Sequence, residues 1–401
     1  MSGSDGAPDV IVVGSGAAGM MAAAAAALAP TGPATLLLTD GATGRSNTVM
    51  AQGGIQVPFG DASAASMLRD MQRSARVPID LARAERFIAN IAPTIETLER
   101  WGLELDRDRN GKWERRLAGG LSEPRIVSVR DQIGPALMRA LKNGVESAGV
   151  DTRSHARVTG IRQERDGVAL DVTIAGEPGE MQGRAVVICT GGTVHAAAEA
   201  SRQRSTNPAN RNLDMSEIIR DLSLPEVGAE DFQYQPFGLV SIPGSPGHCV
   251  PESIVNFPVR LLDRHGVDIG GIGEDRLDLT RRMFATADRG DAVATELGPG
   301  LWLTLDDVPH GQLADGMPKL HRLLDRHSMT GDRVLVFPLL HYQLGGFVTG
   351  PDGSTQMPGL FLAGEMVGGI HGKNRLMGNG ITDSLVHGRL AGAAAAGHAA
   401  G

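Results

Sequence analysis

The chain has only two cysteines in 401 residues, Cys189 and Cys249. That is too few for a disulfide framework, a four-cysteine zinc site or an iron–sulfur cluster, and no C-x-x-C-H haem attachment occurs. Any redox cofactor must come without those ligands. Aromatic residues make up 3% of the chain, which argues against platforms for stacking bases. Positive charge is also short, with a net charge of −8 and a pI near 5.8. The basic face that releases counterions from a phosphate backbone is missing, so no nucleic-acid partner is expected. The first nine residues carry no basic region, and the longest apolar run, 19–29, is mostly alanine and too short to span a bilayer. The expectation is a cytoplasmic protein with no membrane span.

Glycine, by contrast, is abundant, at 54 residues, in a chain whose 41% hydrophobic and 21% charged content is ordinary for globular domains. The length allows two to three domain-equivalents. Val10-Ile11-Val12-Val13 reads as a strand buried on both faces. It runs straight into glycines and an alanine-rich helix from about Ala17 to Ala29, stopped by Pro30. A second buried strand, Thr35 to Thr39, completes a βαβ unit. Apolar groups at helical spacing predict helices over 80–100 and from Gly134 to Val145. Period-two alternation from Val158 to Ile174, with Gly167 and Gly176 at the turns, predicts an antiparallel meander. Ala185 to Cys189 is another buried strand, entering Thr190-Gly191-Gly192. Residues 231–334 change character, with Pro, Gly and short strand-like pieces, and read as an inserted second domain. The fold class expected is α/β: a Rossmann-like domain built from 1–230 and 335–401, with an α+β insertion over 231–334.

Gly14-Ser15-Gly16-Ala17-Ala18-Gly19 matches G-x-G-x-x-G directly between a strand and a helix. The first glycine allows the tight turn, the second lets backbone approach a pyrophosphate, and the third permits close helix–strand packing. A ribose hydroxyl would be reached about twenty positions on, where Thr39 and Asp40 stand. The motif alone leaves NAD and FAD open.

Further segments in the same order along the chain narrow that choice. Arg45-Ser46-Asn47-Thr48-Val49-Met50-Ala51-Gln52-Gly53-Gly54-Ile55, Thr190-Gly191-Gly192, Ser205-Thr206-Asn207-Pro208, His341-Tyr342-Gln343-Leu344-Gly345-Gly346, Ala363-Gly364-Glu365 and His371-Gly372-Lys373-Asn374-Arg375-Leu376-Met377-Gly378-Asn379-Gly380-Ile381 resemble the fumarate reductase/succinate dehydrogenase flavoprotein family, which includes L-aspartate oxidase. The resemblance implies an FAD-binding domain with an inserted capping domain, and FAD as the cofactor. By it, Gly14, Gly16, Ala17, Ala18 and Gly19 hold the pyrophosphate. Thr39, Asp40, Thr190, Gly191, Asp214, Gly364 and Glu365 are further cofactor positions, while Ser46, Asn47, Ala51, Gln52, Gly53 and Gly54 lie along the flavin. Gly380 and Ile381 open the final helix, whose N-terminal dipole suits negative charge on a reduced flavin. Asn47 stands where membrane-complex members carry the flavin covalently on a histidine, so the FAD should be non-covalent.

The same resemblance makes Arg375 the arginine that binds a substrate carboxylate, with His341 as a second substrate residue. Arg281, beside Arg282, is the candidate for moving the proton. Gln235 and Phe237 replace a family histidine and threonine, and Leu121 replaces a polar residue. These changes imply a substrate that keeps one carboxylate while its far end is an amide, ester, ring or apolar group. The expected reaction is FAD-dependent C–C or C–N desaturation, or its reverse, on a small carboxylate other than a simple dicarboxylate. Electrons would pass to a soluble acceptor or oxygen. The family's C-terminal helical domain has no counterpart before Gly401, so no iron–sulfur partner protein is expected. The alternatives are a dicarboxylate enzyme of this family, an NAD(P)-dependent Rossmann dehydrogenase and a flavin-binding protein without turnover.

Overall fold

Four β-branched residues, Val10–Val13, are 0–5% exposed and form the middle strand of a five-stranded parallel sheet. The structure is a computed structural model that describes residues 7–240, 247–308, 311–327 and 333–401. Strand order in the sheet is Leu360–Leu362, Ala185–Ile188, Val10–Val13, Thr35–Thr39 and Asp151–Ser154, each pair parallel. The C-terminal part of the chain thus contributes an edge strand to the sheet that the N-terminal part begins.

The opening helix, Ala17–Ala27, stops two residues before the predicted end. Its alanines are explained by packing. The final helix, Asn379–Ala400, lies against it so closely that a Cβ on Gly388 would fall 2.4 Å from the Ala18 carbonyl oxygen, and one on Gly392 would fall 2.1 Å from that of Ala22. Only small side chains permit such an approach.

The helix predicted over 80–100 is two helices, Leu81–Ala89 and Ile91–Arg100. Pro93 is the cause: it has no N–H, and its ring would strike the carbonyl of residue 89 in a continuous helix. Asp80 caps the first by accepting from the Arg83 N–H at 3.0 Å. The meander is present as Ala156–Glu164, Gly167–Ile174 and Glu177–Gly183.

A second sheet orders Phe232–Leu239, Arg333–Gln343, Gly298–Thr304 and Leu261–Leu262, all antiparallel, over a core of its own. The strand Arg333–Gln343 runs well past residue 334 and carries His341 and Tyr342 back toward the first domain. The two domains are also joined at Asp131, only 3% exposed, which accepts from the Lys319 and Leu320 N–H groups at 2.9 and 3.1 Å. Among the described residues, no helix is long and apolar enough to cross a membrane.

Candidate active site

The glycine turn shows which of its residues the chain itself requires. Gly14 has φ +108°, and a Cβ there would lie 2.4 Å from the Cys189 carbonyl oxygen; on Gly19 it would lie 1.7 Å from that of Gly14. Gly16 is different. Its φ is −80°, open to any residue, and the nearest atoms to a Cβ are 3.7 Å away. Nothing in the chain needs a glycine at 16, so the free space at this helix N-terminus suits a group from outside, as a pyrophosphate would be. The Ala17 N–H is taken by the Thr48 hydroxyl at 3.1 Å, and Ala18 backs onto the final helix at Gly388.

Thr39 ends its strand buried, its hydroxyl accepting from Ser15 Oγ at 3.0 Å. Asp40, the next residue, is exposed and lines a cavity of about 80 Å³ together with Gly14, Thr190 and Asp214. Asp214 lies in the first turn of Asn212–Asp221 and pairs with Arg157. The Thr190 hydroxyl is buried without a partner, and Gly191 turns the chain at φ +86°.

Where the two domains meet there is a cavity of about 250 Å³. From the first domain, Asn47, Ala51, Gln52, Gly53, Gly54, Glu365, Gly380 and Ile381 line it. Asn47 donates to the Asn207 side-chain oxygen. Gly364, at φ +83°, turns the chain into Glu365. A Glu365 oxygen accepts from the Gln343 N–H at 3.0 Å, and Gly192 leaves it room, since a Cβ there would come within 2.7 Å. Burial pushes the Glu365 carboxyl up to about 7. The Ser46 hydroxyl and both amide ends of Asn379 are buried without partners. Buried polar atoms are normally satisfied. Here the unsatisfied ones, the unfilled space at Gly16 and the Glu365 carboxyl lie in or next to two cavities, one lined by Asp40 and Thr190 and the other by Glu365 and Ile381. Such a set fits FAD, which presents a pyrophosphate, several hydroxyls and a polar ring edge.

The remaining residues of the cavity can bind an acid. Arg375 is 5% exposed, its guanidinium 4.2 Å over the Tyr342 ring. One terminal nitrogen donates to the Leu376 carbonyl at 3.1 Å, while Nε is buried with no partner. Gly380 makes this possible, because a Cβ there would sit 3.2 Å from the guanidinium carbon. Burial, then the charge of Arg276, pulls the Arg375 group down to about 10. His341 is neutral, held well below the usual histidine range by burial and by Arg276 and Arg375. Its Nδ1 shares a 2.8 Å hydrogen bond with the Thr206 hydroxyl. Gln235 lines the same space, donating to the Val250 carbonyl at 3.3 Å and leaving its oxygen unpaired.

Three expectations need correction. Arg281 is 70% exposed, its nearest carboxylate Asp278 at 3.9 Å, and it lines a surface depression with Arg282 rather than the cavity. The arginine in the cavity is Arg276, 8% exposed and ion-paired through Nε to the buried Glu252. Arg276 follows the helix cap Asp275 directly; five residues on, Arg281 is turned about 140° around the helix. The capping residue was the available signal. Phe237 is likewise not a pocket wall but fully buried in the second-domain core. Strict alternation would put it on the same face as Gln235, yet the strand's register shifts between Gln235 and Gly238, and such a bulge redirects the side chain. Leu121 is also core. Glu252, Arg276, His248 and Lys319, all lining the cavity, were not singled out from sequence.

Comparisons with known proteins give the family and its cofactor. The family described as "FAD binding domain" matches residues 9–381. A fumarate reductase (CoM/CoB) chain of Methanothermobacter marburgensis is 28% identical over 406 residues, covering 97% of this chain and 72% of that protein. An L-aspartate oxidase of Mycobacterium leprae is 29% identical over 412 residues, covering 98% and 75%. A mutant of the E. coli quinol fumarate reductase FrdA shares the fold at a TM-score of 0.89 and 24% identity, over 98% of this chain and 71% of that one.

Proposed function

The chain belongs to the FAD binding domain family and is an FAD-dependent oxidoreductase; on that premise we propose that it exchanges hydride with a small carboxylate, across a C–C or C–N bond beside the carboxylate. One observation carries the reading: a buried guanidinium, Arg375, stacked on Tyr342 with an unpaired Nε, in the cavity where the cofactor residues converge. When bound, FAD supplies the two-electron exchange as a hydride equivalent.

The chain's residues do the rest. Arg375 takes the carboxylate on its planar fork, and neutral His341 adds a hydrogen bond without adding charge. Arg276 moves the proton. In the reducing direction one carbon of the double bond gains hydride, the other atom gains a proton from the Arg276 guanidinium, and that proton is restored through Glu252. In the oxidising direction a C–H hydride and an adjacent proton leave by the same two routes. Arg276 and Arg375 are 8% and 5% exposed, and low exposure to water strengthens these contacts. Asn47 offers no nucleophile, so FAD would be held without a covalent bond, and its electrons would go to a soluble acceptor or oxygen.

With Phe237 in the core, the aromatic wall disappears from the argument. The far end of the substrate faces Gln235, His248 and Lys319. Fumarate and L-aspartate, named by the relatives, head the compounds to screen. The test is the purified protein's visible spectrum before and after denaturation and filtration. Flavin bands that pass into the filtrate, and that shift in the native protein when carboxylates are added, are expected. A protein that takes up no FAD overturns the reading.

A further inference from the structure

Next to Arg375, outside the lining of the cavity, the first domain buries a group of titratable side chains that the proposed reaction does not use. Asp383 and His387 are 2% exposed, and His371 and Arg83 are 4% exposed. Ionised groups at such depth are costly unless paired. Asp383 is paired through both oxygens. One meets Nδ1 of His387, a turn further along the final helix, and the other lies 3.3 Å from His371 Nε2. Burial opposes the Asp383 charge, but the two imidazoles outweigh it and hold the carboxyl well below the usual carboxylate range. Arg83 Nε approaches His387 Nε2 at 3.5 Å. A guanidinium can only donate, so Nε2 is the acceptor and Nδ1 carries the proton toward Asp383.

His371 joins this group to the substrate site. Its ring stands edge-on to Tyr342, with centroids 5.9 Å apart and planes at 72°, and the Arg375 guanidinium lies over that same tyrosine ring. Among the described residues Arg375 makes one hydrogen bond, to the Leu376 carbonyl, and no ion pair. The plane of its fork is therefore set by the ring beneath it. The tyrosine hydroxyl does not fix that ring, because it is buried without a partner; the strand Arg333–Gln343 and the His371 edge do. At the other end His387 is clamped. It stacks on Phe87, centroids 5.8 Å apart and planes at 14°, while Arg83 is itself held by donating to the Gly368 carbonyl at 2.7 Å. Phe87 and Arg83 both belong to the helix Leu81–Ala89. A column of side chains thus runs from that helix to the wall of the cavity.

We infer that Asp383 is a positioning residue for Arg375: acting through His371 and Tyr342, it fixes the plane in which the guanidinium presents its fork to a carboxylate. The inference rests on the carboxylate reading of Arg375 and adds what holds that group ready. A guanidinium already held in the binding plane loses less freedom when the ligand arrives, so affinity rises without any new contact to the ligand. The contact between Arg375 and the face of Tyr342 carries the coupling, since a cation over an aromatic ring is attracted to the face of that ring.

The test is a double-mutant cycle read by equilibrium titration of the flavin-loaded protein, followed by the flavin absorption bands, with acetate, fumarate and L-aspartate as probes. Tyr342→Leu should weaken the best-bound probe at least about tenfold, and Tyr342→Phe, which keeps the ring, by less than about threefold. Asp383→Asn, which keeps the shape and removes the charge, should weaken it by roughly three- to tenfold. With Tyr342→Leu already in place, adding Asp383→Asn should weaken it by less than about twofold more, because the route from Asp383 to Arg375 is then cut. His371→Gln leaves the Asp383–His387 pair in place, should follow the same non-additive pattern, and reads the role even if Asp383→Asn does not fold. Effects that multiply in the double variants, or an unchanged affinity in Asp383→Asn and His371→Gln, overturn the positioning role and leave the Arg375 reading standing. Native bands that respond to none of the three probes overturn both.

Discussion

The candidate site spans two cavities whose walls have different origins. The wall at the glycine turn is made by residues within thirty positions of one another, placed by the strand Val10–Val13, the helix Ala17–Ala27 and the strand Thr35–Thr39. The opposite wall gathers Gln235, His248, Glu252, Arg276, Lys319, His341 and Arg375 from a span of about 140 residues in the numbering. The first wall is dictated by backbone sterics, so its residues are exacting: a methyl group at Gly19 has no space. The second is dictated by charge pairing and domain docking. Its geometry is set by single side chains drawn from both domains.

Substitutions can break or sharpen that contrast. The largest effect belongs to Gly19→Ala, where the added methyl would meet backbone; a loss of about 3 kcal/mol or more is expected, with no flavin retained, as read by thermal unfolding and visible absorption. Gly16→Ala is the sharpening partner. It should leave the apo-protein within about 0.5 kcal/mol of the native chain and weaken FAD binding, because the glycine there answers only to the ligand. Equal destabilisation by both would mean that the space at Gly16 is not a cofactor space.

On the opposite wall, Arg276→Lys should lower kcat on the order of 10²- to 10³-fold with flavin content preserved, since an ammonium cannot reproduce both the Glu252 pairing and the proton position. Turnover with the most active carboxylate found in the screen measures it. Glu365 gives a pH test. Burial raises its carboxyl from 4.5 to about 7, so the folded chain holds a proton there that the unfolded chain releases. Stability of the apo-protein should therefore be fully present below pH 4.5 and decline as pH rises to about 7, by roughly 3 kcal/mol at 1.4 kcal/mol per unit. Glu365→Gln should remove that slope in urea titrations at several pH values. The smallest effect is Arg281→Ala, which should change kcat/KM less than about twofold, because the side chain is solvated and its nearest ion pair is an exposed one.

Much of the first wall was legible in advance. The three strands Val10–Val13, Thr35–Thr39 and Ala185–Ile188 are continuous apolar runs, and the turn between the first strand and its helix carries its own glycine code. Arg375, His341 and Glu365 were visible through a resemblance and do line the cavity. Legibility failed where a local rule was overridden. Pro93 splits what apolar spacing joins, the register shift after Gln235 sends Phe237 into the core, and the five residues from Arg276 to Arg281 turn one arginine in and the other out. Lys319 gave no signal because nothing near it in sequence marks the cavity; it is there through Asp131, 188 positions away.

Sequence by itself determined the parallel sheet and the glycine turn, since strand burial and glycine conformations are short-range and leave a regular pattern, while the class of cofactor followed from the resemblance of several ordered segments. Which arginine, which carboxylate and which lysine line the cavity were decided only by the docking of one domain on the other. Those choices depend on the turn of a helix, one bulge and one carboxylate bridging two domains, and long-range contacts of that kind leave no periodic trace along a chain.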